Sequence, residues 1–211
     1  MSNELHSRLA RCGTLQVGIL IFPEVEVLDF AGPFEVFCVA ARLAARVPGV
    51  TAPFTVSLIG ATGGTVRARH GLGVVPHSFF DNAPALDVLV IPGGIVDQPL
   101  ADAATLAWIA CQDAGAALTA SVCTGAFILA KCGMLDGLAV TTHWEDIPDL
   151  RAAYPGLDVR ENVQWVDQGR IVTAAGISAG IGMSLHLVGR VLGEPMARAT
   201  ARQMQYDWAP L

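Results

Sequence analysis

A chain of 211 residues, 53% of them apolar and 15% charged, is long enough for one α/β domain with a large core. A formal charge of −6 and a single lysine, Lys131, provide no basic surface, so no nucleic-acid partner is expected. No apolar run reaches the roughly 18 residues of a membrane span. The five cysteines fit neither a disulfide framework nor a zinc site, so the expectation is free thiols, no metal and a cytoplasmic protein.

Residues 1–13 carry charges and no apolar signal segment, and they read as a short disordered leader to a domain over 14–211. Residues 15–22 are apolar apart from Gln16, the pattern of a central parallel strand, and Pro23 ends them. Gly32-Pro33 precedes a helix predicted over 34–45, with Pro33 in its first turn. A loop over 48–53 leads to a strand over 54–60. Residues 66–70 and 72–76 read as a small strand pair around Gly71, and 79–83 as a connecting turn.

The next strand, 88–91, stops at Pro92-Gly93-Gly94. A helix over 102–114, a strand over 116–122 and a helix over 127–132 follow, the last stopped by Gly133. Then come a short strand over 139–142 and a short helix over 147–153. Strands at 162–167 and 170–174 flank a Gln168-Gly169 turn, and two helices, 178–192 and 196–205, complete the chain. The alternation gives a single-domain α/β fold with a doubly wound, mainly parallel sheet and helices on both faces.

Ser121-Val122-Cys123-Thr124-Gly125 lies where a buried strand becomes a helix. A cysteine there leaves the carboxyl edge of the sheet against a helix N-terminus, whose partial positive charge favours a thiolate. Cys123 is therefore the candidate nucleophile. Cys38, Cys111 and Cys132 fall within predicted helices and read as packing thiols. Asp29 follows the first strand's exit, beside apolar Leu28 and Phe30, so it could exchange protons near neutral pH or simply cap the following helix. Gly93 and Gly94 could present bare N–H groups to a developing negative charge. His143, after Thr141-Thr142, comes near the same edge, where a structural hydrogen-bonding role competes with a role in the site.

These segments together resemble the ThiJ/PfpI superfamily, which has a class I glutamine amidotransferase-like, flavodoxin-like fold. The resemblance rests on Phe22-Pro23, Leu28-Asp29, Gly32-Pro33, Ile91-Pro92-Gly93-Gly94, the Cys123 turn, Thr141-Thr142-His143-Trp144 and Ala175-Gly176-Ile177-Ser178. Within the superfamily the chain is similar to the isonitrile hydratases, which carry an aspartate at the position of Asp29 and a threonine at that of Thr124. Thr124 also stands where the peptidase-like branch has histidine.

The resemblance implies a lyase with Cys123 as nucleophile and Asp29 as proton carrier. Thr124 and the backbone at Gly94 and Ile177 would line the site. It implies a small-molecule isonitrile as substrate, no cofactor, and a homodimer. Gly182 and the long segment over 38–57 depart from that branch, and the segment resembles the sensor half of AraC-type regulators. A non-catalytic ligand sensor and a redox-responsive thiol protein are the alternatives. The regulators continue into a DNA-binding region, whereas this acidic chain ends at Leu211, which favours the enzyme.

Overall fold

The computed structural model describes residues 4–209. It begins with a helix, α1 (Glu4–Cys12), so the leader expected to be disordered is ordered from residue 4 onward; residues 1–3 of that leader lie outside the described residues. Leu5 supplies the physical reason: it is 1% exposed and belongs to the core.

In chain order there follow β1 (Leu15–Leu20), α2 (Val27–Ala44), β2 (Phe54–Gly60), β3 (Val66–Arg67), β4 (Gly73–Val74), β5 (Ser78–Phe79) and β6 (Val88–Ile91). Then come α3 (Asp97–Ala101), α4 (Ala103–Gly115), β7 (Leu118–Val122), α5 (Gly125–Lys131), β8 (Ala139–Val140) and α6 (Ile147–Ala153). The chain closes with β9 (Asp158–Val159), β10 (Trp165–Asp167), β11 (Ile171–Ala174), α7 (Ala179–Leu192) and α8 (Glu194–Gln203).

Seven strands form the main sheet in the order β10-β11-β7-β6-β1-β2-β5. Every pairing is parallel except β10 with β11, the predicted hairpin. All residues of β6, β7 and β11 are buried, as expected for parallel strands covered on both faces. Helices α1, α2, α7 and α8 pack on one another; α3 packs against α4 and α5. Among the described residues, no helix is long and apolar enough to cross a membrane.

Further elements differ from the sequence expectation. Helix α2 begins at Val27, so Asp29 lies in its first turn rather than in a loop, and Pro33 lies inside the helix. The stretch read as a turn over 79–83 contributes Phe79 to edge strand β5, too short to show a period. Helix α3, only five residues long, and strand β9, only two, lie in stretches to which the sequence assigns no element.

From β1 the chain winds outward through β2, then returns to β6, β7 and β11 on the other side of β1. The winding reverses between β1 and β6, and a crevice at the carboxyl ends of strands is expected there. Asp29 follows β1, Gly93 and Gly94 follow β6, and Cys123 follows β7, so all of them converge on that crevice.

Candidate active site

Cys123 sits on a sharp elbow between β7 and α5, with φ of 56°, a left-handed conformation uncommon for a residue with a Cβ. Its N–H is shared between the carbonyls of Ala174 (3.2 Å) and Ala175 (3.1 Å), and its carbonyl accepts the Thr142 hydroxyl at 2.8 Å. Close packing behind the elbow explains Gly125: a Cβ there would collide with the Ile91 carbonyl oxygen and come within 2.9 Å of that of Pro92. Ile177, across the thiol, also has a positive φ, 47°. For a β-branched residue that backbone is strained, and such strain is characteristically held at functional sites.

Asp29 is fully buried. Its Oδ2 accepts the Gly93 N–H at 2.9 Å, while Oδ1 is buried without another hydrogen bond, and the Cys123 thiol is a neighbouring donor to the carboxyl. Desolvation pushes the Asp29 pKa up to about 7, outweighing the Gly93 hydrogen bond; the charge of Glu26 adds to the rise, and the thiol opposes it. The position of Asp29 in the first turn of α2 would favour a carboxylate, but burial dominates.

The thiol does not have the low pKa that a helix N-terminus led the sequence reading to expect. Burial, with the charge of Asp29 second, pushes Cys123 up to about 12, although the N–H groups of Thr124 and Ile177 bond to the sulfur and favour its ionised form. Nor is the thiol openly exposed: Cys123 is 7% accessible. The resting dyad is thus a protonated thiol beside a carboxyl that titrates near neutrality.

Gly93 and Gly94 hold different roles from the expected donors to substrate. The N–H of Gly93 is engaged with Asp29, and that of Gly94 with the Thr124 hydroxyl at 2.9 Å; that hydroxyl in turn donates to the Gly94 carbonyl, also at 2.9 Å. They position the acid and Thr124. A Cβ on Gly93 would lie 2.5 Å from Thr124 Oγ1 and 2.9 Å from Cys123 Cβ, so only glycine fits between the two halves of the site. The donors facing the sulfur are instead the Thr124 and Ile177 N–H groups.

His143 lines the same cavity, which is about 290 Å³ and also bounded by Glu26, Arg69, Glu145 and Asp146. Its ring packs against Gly176, where any Cβ would overlap it. Nδ1 lies 3.3 Å from the Glu145 N–H and 3.3 Å from Asp146 Oδ2, so it can accept from the first or, when protonated, donate to the second. Sequence reasoning did not single out Glu26, Arg69, Glu145 or Asp146. The pair of acids directly after Trp144 was the available signal; Arg69, in a short 3-10 turn over Arg69–Gly71, offered none. Among the described residues, no group of three or more His, Cys, Asp or Glu side chains is arranged to hold a metal ion.

The chain is similar to several known proteins. The sequence profile of the DJ-1/PfpI family matches residues 15–190. The chain is 36% identical over 197 residues to isonitrile hydratase of Pseudomonas putida, covering 93% of this chain and 80% of the relative. It is 29% identical to the HTH-type transcriptional regulator GbdR of Pseudomonas aeruginosa, covering 90% of this chain but spanning only 50% of the regulator. Among solved structures, a ThiJ/PfpI family protein from Pseudomonas syringae superposes with a TM-score of 0.79 at 29% identity, covering 93% of this chain and 77% of that one.

Proposed function

The chain belongs to the DJ-1/PfpI family, and from that premise we propose that it is an isonitrile hydratase, converting R–N≡C and water to the formamide R–NH–CHO. The observation that carries this reading is the buried pairing of a neutral thiol with a carboxyl whose pKa is raised to about 7. Such a pair moves one proton without needing a second acid or base. The 36% identity to the Pseudomonas putida hydratase supports an isonitrile as the electrophile.

Asp29 as carboxylate takes the Cys123 proton while the sulfur bonds to the terminal carbon of the isonitrile. Protonated Asp29 then delivers that proton to the same carbon, giving the thioimidate Cys–S–CH=N–R. Asp29, again a carboxylate, removes a proton from water as its oxygen adds to that carbon, and then delivers that same proton to nitrogen, returning to the carboxylate. The tetrahedral adduct Cys–S–CH(OH)–NH–R collapses, the hydroxyl proton leaves with the departing sulfur, and formamide and thiol are regenerated. The covalent intermediate divides one difficult hydration into two easier steps. During each step the N–H groups of Thr124 and Ile177 stabilise charge on sulfur. No cofactor is required by this chemistry, and a homodimer in the cytoplasm is part of the same proposal.

The test is to incubate the protein with an alkyl and an aryl isonitrile and follow formamide by NMR. Turnover should disappear in Cys123→Ala with the fold retained by circular dichroism. Absence of turnover by the intact protein would overturn the reading. A ligand-sensing domain is the second reading, favoured by the match to half of a transcriptional regulator. A thiol held near 12 argues against a redox sensor, since the oxidisable form is the thiolate.

A further inference from the structure

The Cys123 sulfur faces two backbone donors, the N–H groups of Thr124 and Ile177. Each belongs to a planar peptide unit whose carbonyl points the opposite way. The unit that presents the Ile177 N–H carries the Gly176 carbonyl, which accepts the N–H of Ala179, the first residue of α7, at 3.2 Å. The unit that presents the Thr124 N–H carries the Cys123 carbonyl. That carbonyl accepts the Thr142 hydroxyl at 2.8 Å and the Ala126 N–H at a longer 3.3 Å. Thr142 lies two residues past the end of β8 and is 1% exposed, and its hydroxyl proton is committed to Cys123, so it offers no donor to a substrate. The preceding residue anchors it: the Thr141 N–H donates to the Thr173 hydroxyl on β11 at 2.8 Å, and the Thr141 hydroxyl to the Arg160 carbonyl at 2.9 Å.

We infer that Thr142 is a positioning residue for the nucleophile: through the Cys123 carbonyl, its hydroxyl aims and strengthens the Thr124 N–H that receives charge on the sulfur. In its kinetic consequence the inference rests on the hydratase reading and deepens it. One contribution is geometric. Cys123 holds a left-handed backbone, which its Cβ disfavours, and the Thr142 bond fixes the peptide plane that follows it. The other is electronic. A hydrogen bond to a carbonyl oxygen polarises the amide and makes its N–H a better donor, so the chain from the Thr142 hydroxyl through the peptide to sulfur is mutually reinforcing, by about 10–30% per bond. Against a protonated thiol this gain is small. As charge develops on sulfur the Thr124 bond becomes charge-assisted and the gain grows, so Thr142 acts on the step that needs it and not on the resting state.

Two comparisons isolate the hydroxyl: the parent against Thr142→Val, and Thr142→Ser against Thr142→Ala, the second carrying the test where the valine variant does not fold. The first readout is iodoacetamide alkylation of Cys123 at fixed pH, with the exposed Cys12 as internal reference, and it needs no turnover. Loss of the hydroxyl should slow alkylation about threefold for each tenfold loss of thiolate, because a thiolate of higher pKa is intrinsically the better nucleophile. A role confined to packing gives the opposite sign, since a loosened elbow opens more often and admits the reagent. The second readout is formamide formation, where kcat should fall about tenfold with KM unchanged, the scale of one hydrogen bond realised in the transition state. Thr142→Ser should stay close to the parent in both. Unchanged or faster alkylation in the hydroxyl-free member of a pair overturns the inference, whatever its stability in urea. Unchanged kcat in that member removes Thr142 from the reaction and leaves the hydratase standing. Slower alkylation with no formamide from the intact protein retains the positioning role and overturns the hydratase.

Discussion

Cys123 is a nucleophile whose reactivity depends on its neighbour. With its thiol raised to about 12 by burial and by Asp29, it should be alkylated by iodoacetamide at pH 7.5 more slowly than the exposed Cys12 and Cys111. Peptide mass mapping over a time course gives the order directly; fastest labelling at Cys123 would contradict the buried, protonated thiol. Asp29 carries a separate consequence for stability. Its native pKa, about 7, lies above the ordinary carboxyl value of 3.8, so the native state binds more protons than the unfolded state between those limits. Stability attributable to this group is therefore greatest below pH 4, is lost as pH rises, and is fully lost above 7. At about 1.4 kcal/mol for each tenfold change in proton affinity, the cost is on the order of 4 kcal/mol as a ceiling. Asp29→Asn should consequently be more stable than the parent at pH 8, with the advantage vanishing near pH 4, in urea melts at the two pH values. The same substitution should abolish turnover, which would mark Asp29 as a residue kept for chemistry at the expense of the fold.

At the level of elements, the site depends on how closely α5 approaches the end of β6. A Cβ at Gly125 meets the backbone carbonyls of Ile91 and Pro92, which cannot move without shifting the strand. A Cβ at Gly18 on β1 meets only the Leu86 and Ile59 side-chain ends, which can change rotamer. Gly125→Ala should therefore cost more than Gly18→Ala, about 3 kcal/mol against about 1 kcal/mol, and only the former should also reduce turnover. Denaturant midpoints together with formamide assays distinguish the two; equal losses would show that the elbow is more compliant than its packing indicates. Helix α2 makes a related point. It starts at Val27 and passes through Pro33, although proline usually marks a helix start. The helix, with ten buried residues, gains enough from packing to accept the proline, and this early start places Asp29 in a helical turn.

Across the whole molecule, the N-terminal helix completes the core rather than preceding it. Leu5 is 1% exposed, and the His6 ring reaches the Val191 carbonyl at 3.2 Å. Leu5→Ala should lower stability by about 2–3 kcal/mol, seen as a fall in Tm of roughly 5–10 °C; an unchanged Tm would return residues 4–12 to the role of a dispensable leader. The charged residues that hid this helix in the sequence occupy its exposed side, where a single buried leucine leaves little periodic signal. The central strands were legible because buried parallel strands are near-continuous apolar runs, unbroken in β6 and interrupted only by Gln16 in β1. The Cys123 elbow was legible because such a run ends abruptly at Thr124-Gly125. The thiol's protonation was not, because it depends on Asp29, 94 positions earlier in the chain, and on how deeply both are buried. The reassignment of Gly93 and Gly94 has the same origin: a glycine pair after a strand reveals available N–H groups but not which acceptors reach them first.

The hydrogen bond from Gly93 to Asp29 also makes the site spectroscopically readable. A backbone proton bonded to a carboxylate resonates downfield of one bonded to a neutral carboxyl, because the charge strengthens the bond. The Gly93 amide should therefore move downfield as pH rises, with a midpoint about 7, and report the charge on a carboxyl that solvent does not reach. In a ligand titration at fixed pH, the same resonance would register a change in the proton affinity of the dyad before any bond to sulfur has formed.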